Sequence, residues 1–263
     1  MLPIYRIAIF VIKKADPIAT DKLNIEQLKL SFKDKPICET SDIIEYYKIL
    51  EPGIKSTTVN WRIYSLVQLG VLIRIGRGKF TFNEGKIYLP EISAKIKSIY
   101  NKLKKQFPYL TICLWHTSVF NEFMIHQPGR FYILIEAERE SIESVFFFLK
   151  EAKYSVFLDP SRDIINRYFS EMYETLIVKT LVSEAPLQNI EGVKTTTIEK
   201  MLVDIFCDDV IFAAQQGSEM RSIFNDAFKK YIVKENRILR YANRRGKKKE
   251  FINYLKNISN FRQ

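Results

Sequence analysis

The stretch KSTTVNWRIYSLVQLGVLIRIGRGKFTF, residues 55–82, changes its periodicity once, and that change decides the fold. In its first half Val59, Ile63, Leu66 and Gly70 recur at i, i+4, i+7 and i+11, which is the stripe of an amphipathic helix. Ser56 is the expected N-cap, because its hydroxyl accepts from the free amides of a first turn, and Gly70 is the expected C-cap. In the second half, residues 71–75 and 80–82 read as two short strands joined by Gly76-Arg77-Gly78-Lys79, a glycine-rich turn with basic residues at its tip. Elsewhere on the wheel lie Thr57, Thr58, Trp61, Arg62, Ser65 and Gln68, with Asn60 and Tyr64 on its flanks. These are side chains that bond to phosphates and base edges rather than the Glu and Lys of an ordinary solvated face.

Upstream, Ile25, Leu28 and Phe32 mark a short helix. In DKPICETSDIIEYYKILEPG, Thr40 or Ser41 is placed to cap a second helix with Ile43, Ile44, Tyr47 and Leu50 on one face, ended by Pro52 and Gly53. Helix, turn, helix, hairpin is the order of a winged helix-turn-helix, expected over residues 25–92 after a leader, residues 1–24, to which no element is assigned. A capped helix packed on a hairpin also occurs in folds that bind no DNA. The short Pro-Gly connection, the polar face with Arg62 and Arg74 near it, and the Arg77/Lys79 tip favour DNA.

Residues 93–263 change character. A Lys-rich helix carrying Ile96, Ile99 and Leu103 leads to the apolar run YLTICLW, a buried strand, and then to TSVFNEFM, read as a helix capped by Thr117 or Ser118. FYILIEAE, VFLD and TLIVKTLV read as further strands, with ESIESVFFFLKEA as a helix among them, so the fold class expected is mixed α/β. The end is helical. Thr196 and Glu199 stand in capping-box spacing in TTTIEKMLVDIF, residues 219–231 form a helix, and Gly246 divides NRILRYANRRGKKKEFINYLKNI into two.

With 47% apolar and 27% charged residues the chain is core-forming, and its net charge of +11 selects polyanionic partners, nucleic acid before an anionic membrane. The excess is concentrated. Residues 229–262 hold twelve Lys/Arg against Glu235 and Glu250, and around Gly246 the side chains of Arg240, Arg244, Arg245, Lys247, Lys248 and Lys249 are expected to crowd one surface. Cys38, Cys113 and Cys207 are odd in number and widely spaced, which fits buried reduced thiols rather than a disulfide framework or a zinc site. The apolar run at residues 7–12 is too short for a bilayer, and the cytoplasm is the expected location.

Catalytic patterns are scarce. His116 and His126 have no nucleophile motif near them. Glu136 and Glu138 on one strand, with Asp159 on another, are the carboxylates a metal-dependent nuclease would need, and that reading stands as the alternative to a non-catalytic binding protein. Gly217-Ser218 reads as a helix N-cap.

The succession of KSTTVNWRIYSLVQLGVLIRIGRGKFTF, an α/β middle, TTTIEKMLVDIF and ILRYANRRGKKKEFINYL resembles the AbiEi family of antitoxins and transcription regulators from type IV toxin-antitoxin systems. The likeness spans roughly residues 25–258 and rests most on EKMLVDIF paired with YANRRG. It implies a winged helix that binds inverted repeats in its own promoter and represses the operon. It further implies a C-terminal domain that supports repression and counters a nucleotidyltransferase toxin without a stable complex, with neither cofactor nor metal. Two winged helices on inverted repeats would come from a dimer or from adjacent monomers. DNA contacts are implied for Ser56, Thr57, Asn60, Arg62, Tyr64, Arg77 and Lys79, and a C-terminal basic surface for Arg240, Arg244, Arg245 and Lys247.

Overall fold

The structure, a computed structural model, describes residues 22–35, 37–169 and 174–258, so the leader through residue 21, with its apolar run, lies outside the described residues. The class is mixed α/β, built as three apolar cores.

The N-terminal unit runs α1 (Ile25–Ser31), β1 (Cys38–Glu39), α2 (Thr40–Leu50), α3 (Ser56–Leu69), β2 (Leu72–Gly76) and β3 (Lys79–Phe82), with the strands in the antiparallel order β1-β3-β2. Val59, Ile63 and Leu66 of α3 meet Leu28, Ile43 and Tyr47 in one buried cluster. Two expected caps fall elsewhere. Lys55, not Ser56, is the N-cap of α3 and makes no side-chain capping bond. α2 starts after Glu39, whose carboxylate and that of Asp42 form a reciprocal capping box.

Gly70 does close α3, at φ +77°, a left-handed geometry that favours glycine. It has a second reason to lack a side chain, because a Cβ there would lie 2.7 Å from Cγ2 of Ile232. Ile232 comes from the far end of the chain and is part of the N-terminal core. The Lys86 amide donates to the Lys230 carbonyl and the Ile232 amide to the Lys86 carbonyl, both at 2.9 Å, which pins the segment after the hairpin to this far strand-like stretch. The N-terminal core is thus completed from the C-terminal region.

After α4 (Ala94–Gln106) comes a four-stranded sheet ordered β4-β5-β7-β6, from β4 (Ile112–His116), β5 (Phe131–Ala137), β6 (Val156–Leu158) and β7 (Glu174–Thr180). β4 is antiparallel to β5, while β5, β7 and β6 are parallel, linked through α5 (Ile142–Glu151) and α6 (Arg162–Tyr168). Successive strand residues point to opposite faces, and the sheet uses both. Ile112, Leu114, Ile133, Ile135 and Val178 pack on α4 and α5. Cys113, Trp115, Leu134 and Ile177 pack on α7 (Ile198–Cys207), α8 (Ser218–Lys230), α9 (Glu235–Arg244) and α10 (Lys248–Leu255). A hairpin of β8 (Leu187–Ile190) and β9 (Val193–Thr196) precedes α7.

Here too some expectations fail. TSVFNEFM yields only a 3-10 turn at Thr117–Phe120, capped by the His116 ring instead of Thr117 or Ser118. Thr197 rather than Thr196 caps α7, accepting from the Lys200 amide at 3.4 Å, and Glu199 turns away to other partners. α6 and the β8–β9 hairpin carry no sequence signal strong enough to have been anticipated. Among the described residues no helix is long and apolar enough to cross a membrane.

Candidate nucleic-acid interface

At 3.6 residues per turn, Ser56, Thr57, Asn60, Trp61, Tyr64 and Gln68 share one side of α3, and all six are exposed. Thr58 is exposed on the flank. Trp61 and Tyr64 leave about half of their surfaces in solvent (49% and 55%), an unusual disposition for large rings on a helix that also has a full core face. No acidic residue stands in the first turn of α3, so the partial positive charge at that end is unopposed by its own helix.

Beside α3, the β2–β3 hairpin exposes Arg74, Arg77 and Lys79. The Arg74 guanidinium lies 5.5 Å from the centre of the Phe80 ring, and Lys79 approaches Glu39 only to 3.8 Å, both partners being exposed. Gly78 takes φ +70° at the turn, and a register shift between Arg74 and Gly76 bends β2 just before its tip.

Two residues expected on this face are buried instead. Ser65 is only 6% exposed and Arg62 only 5%. Arg62 pairs with Glu51 at 2.7 Å and stacks over the Tyr47 ring at 4.7 Å, tying α3 to the end of α2. A guanidinium has a long apolar stem, and this one spends it on the helix–helix seam. Arg62 is therefore a scaffold residue of the α2–α3 pair.

The C-terminal basic cluster divides in a similar way. Lys247, Lys248 and Lys249 are exposed, as are Arg240 and Arg244, whose guanidinium groups face Glu184, Arg240 at 3.9 Å and Arg244 in direct contact. Arg245 leaves the cluster. It turns inward to Asp204 at 3.3 Å, and although burial opposes its charge, Asp204 and the Tyr241 phenol hold its pKa above the ordinary arginine value.

Asp204 belongs to a buried network that the sequence did not announce as a site. Lys200, fully buried on α7, lies 2.6 Å from Glu136 of β5 and 2.5 Å from Asp204 one turn on. The Trp115 indole donates to Glu136 at 3.1 Å and the Tyr241 hydroxyl to Asp204 at 2.9 Å, while the Lys200 ammonium sits 5.3 Å over the Trp115 ring. Burial pushes against the Lys200 charge, but Asp204 and Glu136 outweigh it and raise its pKa. Two carboxylates and two cations leave the cluster formally neutral. The available signal was Lys200 and Asp204 at i, i+4 inside the otherwise apolar EKMLVDIF.

The three carboxylates of the nuclease reading have three separate partners. Glu136 is in the network, Glu138 accepts the Thr111 amide at 3.3 Å, and Asp159 is exposed beside Lys179 at 3.2 Å. Among the described residues no group of three or more His, Cys, Asp and Glu side chains could hold a metal ion. The histidines are apart as well. His116 accepts the Ser118 amide at its own cap, and His126 meets Glu219 at 2.9 Å on the surface. Cys38 and Cys113 are buried free thiols and Cys207 a half-buried one.

Glu199, next to Lys200, connects to α3 through Lys234. It accepts the Lys234 amide at 3.2 Å and faces Arg237 at 3.7 Å, and the Lys234 ammonium donates to the Gln68 carbonyl in the last turn of α3. Burial, with Arg237 adding to it against Glu199, pulls the Lys234 pKa down to about 8. Unfolded lysine titrates near about 10.4, so between those values the unfolded chain binds more protons and stability rises with pH. Denaturation measured across that window is expected to show the rise in the wild type and a smaller one in Lys234→Met; equal slopes would contradict it.

The chain belongs to DUF6577, a family of unknown function, which matches residues 58–260. No curated protein matches it. Among solved structures it is similar to the crystal structure of the RV2827C protein from Mycobacterium tuberculosis, with 14% identity and a TM-score of 0.31 over 88% of this chain and 73% of that one.

Proposed function

We propose that this DUF6577 protein is a non-catalytic DNA-binding regulator whose N-terminal unit works as a winged helix, α3 entering the major groove and the β2–β3 hairpin lying against the phosphates. One observation carries the reading: the whole exposed stripe of α3 is polar or aromatic without a carboxylate, and it adjoins a hairpin with three exposed cations. A helix of this kind fits the major groove, where Asn60 is the residue suited to an adenine edge. Ser56, Thr57 and Thr58 at the start of α3 suit phosphate oxygens, as helix N-termini do. The repressor and antitoxin half of the proposal, acting in the cytoplasm on its own promoter and against a nucleotidyltransferase toxin, rests on the AbiEi resemblance in the sequence.

The test is duplex binding by the full chain, with its upstream promoter fragment and an unrelated duplex, over a salt series. Arg77→Ala with Lys79→Ala is expected to weaken binding to both duplexes and flatten the salt slope by about two, roughly one for each phosphate no longer neutralised. Asn60→Ala is expected to cost about 1–3 kcal/mol on the promoter alone, relaxing preference. Unchanged affinity in both variants would remove α3 and the hairpin from the interface.

A further inference from the structure

On the face of the sheet that packs α7 to α10, a cleft of about 600 Å³ opens between the start of β5, α6 and the segment after α7. That volume is within the range of roughly 300–1,000 Å³ typical of small-molecule sites. Ile165, Ile211 and Ala214 give it apolar walls, and Tyr132, Arg130, Asn166 and Gln215 bring polar groups to it.

Gln215 is the informative residue. It is only 4% exposed, yet its side chain has one protein partner among the described residues, the Met124 sulfur at 3.6 Å, to which its amide nitrogen donates. A thioether is a weak acceptor, and among the described residues no protein group donates to the carboxamide oxygen. With no protein donor among the described residues, the carboxamide oxygen is open to an outside partner on the wall of the cleft.

The charges at the cleft are arranged unequally. Arg162 is committed to Asp209, bonding its carboxylate at 2.9 Å and its carbonyl at 3.2 Å. Arg130, exposed where it lines the cleft, has no acid partner among the described residues. The Tyr132 ring also lines the cleft, held by edge-on packing against Phe169 at 5.5 Å, while its backbone amide donates to the Thr117 hydroxyl at 2.9 Å.

We propose that this cleft binds a nucleoside phosphate. The phosphate lies against Arg130, the flat base against Tyr132 and Ile165, and the base edge meets the adjacent donor and acceptor of the Gln215 carboxamide, with Asn166 beside it. A carboxamide pairs bidentately with such an edge, and a guanidinium suits a phosphate. The proposal is independent of the DNA-binding reading, since none of these residues lies in the N-terminal unit.

Calorimetric titration of the full chain with AMP, GMP, adenosine and inorganic phosphate tests it. At least one nucleotide is expected to bind with a sub-millimolar Kd and to bind at least tenfold more tightly than adenosine or phosphate. Arg130→Ala and Asn166→Ala, both at exposed positions, are expected to weaken nucleotide binding at least tenfold and at least threefold. Gln215→Leu should abolish the preference for nucleotide over phosphate if it folds, and the two exposed variants decide the matter if it does not. No nucleotide binding at millimolar concentration overturns the proposal. So does phosphate binding as tightly as nucleotide, or nucleotide affinity indifferent to Arg130→Ala and Asn166→Ala.

Discussion

Lys200→Met is expected to destabilise the protein by about 3–5 kcal/mol, because it leaves Glu136 and Asp204 facing one another in a buried layer with only Arg245 to balance them. For a chain of this size that is a fall in melting temperature on the order of 10 °C. The substitution is close in volume, so the loss is electrostatic and not a cavity effect. Glu136→Gln in the same chain should return part of the loss, since the amide oxygen still accepts from Trp115 while one uncompensated charge is gone. The coupling expected from the four-variant cycle is about 0.5–3 kcal/mol, and additive effects would contradict the network. Because the Lys200 pKa is raised in the fold, its contribution is intact below the ordinary lysine value and lost only as pH climbs through the folded one. Glu136→Gln alone is expected to destabilise too, which separates Glu136 from exposed Asp159, whose amide should fold as the wild type does.

Arg245→Glu is the second large effect, and it divides a cluster that looks uniform in sequence. Placing a carboxylate against Asp204, in a network that already holds Glu136, is expected to cost at least about 3–5 kcal/mol, read as an early unfolding midpoint in denaturant. Lys247→Glu with Lys248→Glu, three residues away at most, should stay within about 0.5 kcal/mol of the wild type, since exposed charges add little to stability. If the exposed part of the cluster contacts promoter flanks, the double lysine variant lowers operator affinity while melting normally. An Arg245→Glu protein as stable as the wild type would return that residue to the surface.

Period and punctuation made much of this architecture legible. The helix stripe at Val59, Ile63 and Leu66, the glycine stop at Gly70, the apolar strands at YLTICLW and FYILIEAE and the break at Gly246 are local patterns, and local sterics and burial suffice to interpret them. The elements that escaped are those whose hydrogen bonds lie far away in the chain. β1 is two residues long and exists because β3, some forty residues on, pairs with it; the His116 cap replaced a longer helix because the strand before it delivers an imidazole to the Ser118 amide.

By itself the sequence determined where most of the helices and strands run, that the class is mixed α/β, and that a polar, acid-free stripe exists on α3. Which polar residues stay in that stripe was decided only by tertiary structure. A wheel shows angle, not cover, so Arg62 read as surface until the end of α2 brought Glu51 and Tyr47 against it, and Ser65 too is buried. For the same reason Arg245 reads as one more cation after Gly246 until α7 places Asp204 beneath it. A charge is solvated or buried according to what packs over it, and for Arg62, Arg245 and Glu136 the partner is ten or more positions away, where no local pattern reaches.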